Sequence, residues 1–140
     1  MAPATNQNIC AILGWMKLIA QVKLLPTPQQ AVSLLDTLQA ANAACNWISQ
    51  VAWETKTFRQ VPLHRLVYYP VREQFGLSAQ LTVGCIAKVV ASYQLNRRRQ
   101  RCFKPTGAMA YDSRILRWSL KTREVSIWTL AGLLCSRRPC

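Results

Sequence analysis

Five carboxylates, one histidine and six cysteines make up the stock of acid, imidazole and thiol groups in this chain of 140 residues. Two-metal hydrolysis of a phosphodiester needs several carboxylates converging on divalent ions about 4 Å apart. Asp36, Glu54, Glu73, Asp112 and Glu124 are scattered and fall mostly in helical segments, so each reads as a solvated or salt-bridged surface acid. His64 is the sole imidazole; it sits early in a helical segment with no orienting acid at hand, and a nucleophile–base pair is unsupported. The cysteines at 10, 45, 85, 102, 135 and 140 contain no CxxC pair, which argues against zinc. With no P-loop and no GxGxxG, neither a cofactor nor a small-molecule substrate is implied.

Positive charge is what the chain has in excess. Eighteen Lys and Arg against five acids give a net charge of +13 and a pI near 10.2. Such a surface calls for a polyanion, nucleic acid first and an anionic membrane surface second. The apolar run Ile9–Met16 is stopped by Lys17 well short of a membrane span and lacks a preceding basic region, so no membrane partner and no signal peptide are expected. Reduced thiols in a cytoplasmic setting fit the cysteine spacing better than disulfides do.

The charge gathers toward the carboxy terminus, where only Asp112 and Glu124 oppose it. Arg97, Arg98, Arg99 and Arg101, followed by Phe103 and Lys104, offer phosphate contacts with an aromatic ring for stacking. The competing reading is a solvated helix terminus, where cations suit the macrodipole. Arg114, Arg117, Lys121 and Arg123 form a second candidate patch. Trp47 and Trp53 lie in a strongly periodic helix and read as core.

The elements that must position these groups are legible from punctuation and period. Lys17–Leu25 is short and aliphatic, as a strand is. Thr27, Pro28 and Gln30 make a capping box with proline at the first helical position. Beyond it Ala31, Leu34, Leu35, Leu38, Ala41, Cys45, Ile48 and Ala52 recur at helical spacing, with Gln39, Asn42, Asn46 and Gln50 between them. A second helix is expected to begin near Pro62, with Leu63, Leu66, Val67 and Phe75 on one face, and to end or kink at Pro70. Gly76 suits a helix stop and Ser78 a new cap, giving a third helix from Ala79 to about Leu95 with Leu81, Cys85, Ile86, Val89, Val90 and Tyr93 inward. Its Gly84 costs roughly 1 kcal/mol unless it permits a close helix crossing. Residues 96–107 read as a linker. Arg114–Leu120 and Glu124–Leu130 alternate as a hairpin around Lys121-Thr122-Arg123, with Ile115, Trp118, Leu120, Val125 and Ile127 as core candidates. The pattern is lost from Ala131 onward.

Several ordered blocks resemble the amino-terminal part of TnpB, the OrfB-type transposase family of bacterial insertion sequences. They are MKLIAQVKLLPTPQQAVSLLDTLQAANAACNWISQVAWETKTF, LHRLVYYPVREQFGLSAQ, IAKVVASYQ and YDSRILRWSLKTREVSIWTL, covering about residues 16–130. The family is similar to type V CRISPR effectors and acts as RNA-guided DNA endonucleases. The resemblance implies a split β-barrel wedge domain (16–26 and 104–130) interrupted by a three-helix recognition domain (27–103). The expected fold class is therefore α+β, with the early strand pairing with the C-terminal hairpin; pattern alone gives only helices first and hairpin last.

The resemblance further implies that Phe58, Gln74, Phe75 and Ser78 read a short DNA motif, and that the wedge and basic linker meet guide RNA. It places the family's catalytic acids and zinc ribbon beyond position 140. The expectation is thus a truncated TnpB-type protein that binds guide RNA or target DNA without cutting, preceded by a non-family leader (1–15) and ended by an aberrant tail (131–140). Alternatives are an inert remnant of a broken gene, prone to aggregate through an exposed barrel edge, and a small stand-alone DNA-binding regulator.

Overall fold

The computed structural model describes residues 21–137, comprising three helices followed by a three-stranded sheet. The expected leader and residues 17–20 of the early strand lie outside the described residues. Within 21–25, Leu25 alone makes an isolated bridge, so this stretch adds no strand to the sheet.

Helix α1 (Pro28–Thr55) starts where the capping box places it. The Thr27 Oγ1 accepts from the Gln30 amide at 3.3 Å, and the Gln30 Oε1 accepts from the Thr27 amide at 3.0 Å. Its inner stripe is fully buried only from Thr37 onward, through Ala41, Cys45, Ile48 and Ala52; Leu35 stays 43% exposed. Helix α2 (Gln60–Phe75) continues past Pro70 and does not end there as expected. Proline removes the bond to the carbonyl four residues back, that of Leu66. Leu66 and Pro70 both lie on the exposed side, where water can take that carbonyl, and Leu63, Val67 and Val71 anchor the opposite side at zero exposure. Gly76, at φ 65°, ends the helix in the left-handed region that a Cβ disfavours.

Helix α3 (Ala79–Leu95) has the expected bounds, with Ser78 Oγ accepting from the Leu81 amide at 3.3 Å. All six residues expected to point inward are buried. Gly84 serves no helix crossing: a Cβ there would meet only the Ala110 carbonyl at an ordinary 3.6 Å. The three helices pack around one core, and Trp47 and Trp53 rest against it as expected.

The hairpin forms as β1 (Leu116–Ser119) and β2 (Glu124–Thr129), in antiparallel register with Trp118 opposite Val125. Strand β3 (Gly132–Arg137) then pairs along β2, giving the order β1-β2-β3. This strand falls in the segment expected to lose its pattern. Alternation is weak in GLLCSR, and pairing with β2 together with burial of Leu134 secures it instead. Ile115, Val125 and Ile127 are buried as expected, but Trp118 is 50% and Leu120 79% exposed. Trp118 lies on an edge strand, and Leu120 falls in the turn beyond it. The architecture is α+β, a helical trio with an open antiparallel sheet.

Candidate nucleic-acid interface

The segment after α3 has no secondary structure, yet from Arg101 to Ala108 its backbone is fixed. Asn42, Asn46 and Ser49 lie one helical turn apart along α1 and face it as a polar stripe. Ser49 Oγ donates to the Arg101 carbonyl at 2.6 Å, and the Arg101 amide donates to Tyr93 Oη at 3.2 Å. Asn46 clasps Phe103 from both sides, donating to its carbonyl at 3.0 Å and accepting from its amide at 2.7 Å. Asn42 Nδ2 donates to the carbonyls of Pro105 at 3.1 Å and Gly107 at 2.8 Å. From α3, Lys88 Nζ donates to Asn42 Oδ1 at 2.7 Å and to the Ala108 carbonyl at 2.9 Å. Gly107 belongs here by its size, since a Cβ would come within 3.1 Å of the Lys104 carbonyl and 3.2 Å of Asn42 Oδ1.

With the linker's polar backbone turned inward, its cations face out. Arg97, Arg98, Arg99 and Lys104 are exposed, and Arg101 is half-buried. Phe103 is less free than its sequence context implies: the ring packs on the core and lies 5.1 Å from Lys88 Nζ.

Arg97 also closes a cleft of about 270 Å³ with Lys56, Thr57, Phe58, Arg59 and Pro62, where the α1–α2 turn meets the end of α3. Phe58 is its aromatic lining residue, backed by Tyr93 and Trp53. Phe58 lies 4.6 Å from Tyr93, Trp53 stacks on Tyr93 at 6.5 Å, the Arg97 guanidinium lies 5.7 Å from the Phe58 ring, and Lys56 Nζ 3.6 Å from the Trp53 ring. Lys56, at φ 54°, and Arg59 cap adjoining helix ends, so both cations are held at the rim. In the sequence both look like ordinary connection residues.

The remaining sequence candidates are divided. Phe58 lies before α2, whereas Gln74, Phe75 and Ser78 lie at its far end, about 24 Å away for a helix of this length. Gln74 is exposed, Phe75 packs on the core, and Ser78 is engaged as a cap. Ser78 lines a second cleft of about 300 Å³ with Arg72, Leu81, Trp128 and Leu130, between the α2–α3 turn and the β2–β3 turn. Arg114 Nη1 donates to Gln80 Oε1 at 2.8 Å, at the amino end of α3 and so remote from Arg97. Arg117, Lys121 and Arg123 are exposed on the hairpin. Arg114 and Arg97 therefore sit at opposite ends of α3.

The potential reaction groups stay apart. Glu54 accepts from Gln50, Asp112 accepts from Gln80 and from the Arg114 amide, and Asp36 and Glu73 are exposed. Among the described residues no three of His, Cys, Asp and Glu come together as a metal site, and no helix is long and apolar enough to cross a membrane. Cys45 and Cys85 are buried free thiols between α1 and α3. The hydrogen bond with Cys45 and then burial push the Cys85 thiol well above its ordinary range, which makes it a poor nucleophile. Burial also raises the Tyr111 phenol.

No protein-family model matches the chain, and no curated protein or solved structure matches it.

Proposed function

We propose that this chain binds nucleic acid through the basic linker and the adjoining cleft, as a TnpB-type amino-terminal region that contacts guide RNA or target DNA. The observation that carries this reading is the pinned linker. A polar stripe on α1 holds the backbone at Arg101, Phe103, Pro105 and Gly107, while Arg97, Arg98, Arg99 and Lys104 project outward. Fixing the backbone in advance lowers the ordering cost when phosphates bind. The net charge of +13 supplies the long-range attraction. The family assignment rests on the sequence blocks alone.

The reading assigns no cleavage to the described residues, because the carboxylates stay dispersed over α1, α2, β2 and the segment before β1. The test is titration of labelled RNA and duplex DNA by the intact chain across salt concentrations. Affinity should fall steeply, with a logarithmic slope of roughly −0.9 per phosphate neutralised on duplex DNA. Binding that is absent at low salt, or indifferent to salt, would overturn the proposal.

A further inference from the structure

We infer that the exposed flank of α2 is a track for single-stranded nucleic acid, with Tyr69 meeting bases and Arg65 and Arg72 meeting phosphates. This rests on the reading above that the chain binds nucleic acid, and adds the form of nucleic acid and a second set of contacts.

At about 100° per residue, His64, Tyr68 and Arg72 fall on one ridge of α2, and Arg65 and Tyr69 on the next. The rings of His64 and Tyr68 stack at 4.6 Å with planes 21° apart, and the Arg72 guanidinium lies 5.7 Å from the Tyr68 ring. Tyr69 meets Tyr68 edge-on at 5.1 Å, yet is 76% exposed. An aromatic row on a helix ordinarily belongs to the core. Here the core face is a different one, formed by Leu63, Val67 and Val71. The row therefore lies off the core, with His64 and Tyr68 half-buried behind an exposed Tyr69 ring.

Charge decides what such a flank suits. Arg65 and Arg72 alternate with the rings at one-turn spacing, and Glu73 is the helix's only acid. Protein interfaces also enrich Tyr and Arg, but a net charge of +13 favours a polyanion over an average protein surface. Rings interleaved with cations match a polymer of π-faces and phosphates. A duplex keeps its base faces inside the stack, so only a single strand offers them. The track has defined ends. From Arg59, in the cleft with Phe58 and Arg97, to Arg72, in the cleft with Trp128, the helix rises about 20 Å, the length of about six stacked nucleotides.

The test is fluorescence anisotropy of the intact chain with labelled oligothymidylate, oligouridylate and a mixed-sequence duplex, each about twenty nucleotides long. Tyr69→Ala should weaken single-strand binding about tenfold and leave duplex binding within about twofold, while Tyr69→Phe keeps the wild-type affinity. The exposed Tyr69 ring makes this a variant that leaves the core intact. A loss on oligouridylate or on oligothymidylate supports the track. Equal losses on single strand and duplex, or no loss on either single strand, would overturn it. Arg98→Ala/Arg99→Ala reports on the linker separately. If that variant weakens binding while Tyr69→Ala is silent, the linker reading stands and the track is wrong. If the wild-type chain binds none of the three probes at low salt, both are wrong.

Discussion

The linker and the hairpin carry comparable positive charge but are built in opposite ways. The hairpin satisfies its backbone within itself, through the β1–β2 and β2–β3 ladders. Side-chain hydrogen bonds join it to α1 from Gln30 Nε2 to the Cys135 carbonyl at 2.7 Å and from the Leu130 amide to Thr37 Oγ1 at 3.0 Å. The linker has no ladder, and side chains of α1 and α3 take up its carbonyls and amides one by one. Regular structure is thus a poor guide to rigidity here. The irregular segment is the one locked to the core, and the regular one is held to the helices at few points.

That contrast can be broken from either side. The largest effect is expected at Asn42, which is fully buried and joins α1, α3 and the linker. Asn42→Ala should cost about 3–4 kcal/mol, because it leaves several buried groups and part of the Lys88 charge unmatched; a loss below about 1 kcal/mol in urea denaturation would show that the clamp is dispensable. Tyr93→Phe removes the hydroxyl that accepts from the Arg101 amide and bonds to Ser49. A loss of about 1–2 kcal/mol is expected, with faster amide exchange at Arg101 than elsewhere.

On the hairpin side, Thr37→Val keeps the volume but strands the Leu130 amide. About 1–2 kcal/mol should be lost, with hydrogen exchange rising in β2 and β3 and unchanged in the linker. Equal exchange in both regions would contradict the division drawn here. The smallest effect sharpens the core that both share. Gly84→Ala should stabilise the chain by about 0.5–1 kcal/mol, since the added methyl finds ordinary contact distances.

What the sequence made legible follows local signals. The Thr27 box, the Gly76 stop and the Ser78 cap place the start of α1, the end of α2 and the start of α3 to within a residue, because capping is decided by neighbours in the chain. Pro70 does not end α2, for the complementary reason. Its penalty is local, but Leu63, Val67 and Val71 hold the helix together across it. Strand β3 and the exposure of Trp118 depend on which neighbour each strand receives, and no period within the strand records that. At the candidate interface, the arginine run was plain from its composition, whereas the clamp was not. Asn42 and Asn46 read as polar positions between apolar ones, and only their contacts with residues 103–107 some sixty positions away give them a role. The row His64, Tyr68, Arg72 had a visible i, i+4, i+8 signal that a search for basic runs passes over.

The central claim is that the fixed linker presents the cations that meet phosphate. Its most direct test is the salt dependence of duplex binding for the wild-type chain and for Arg98→Gln/Arg99→Gln, followed from about 50 to about 200 mM salt. The account predicts that the double substitution leaves the thermal transition in place and lowers the logarithmic slope by about one for each arginine removed. An unchanged slope with unchanged affinity would contradict it and move the nucleic-acid contacts off the linker.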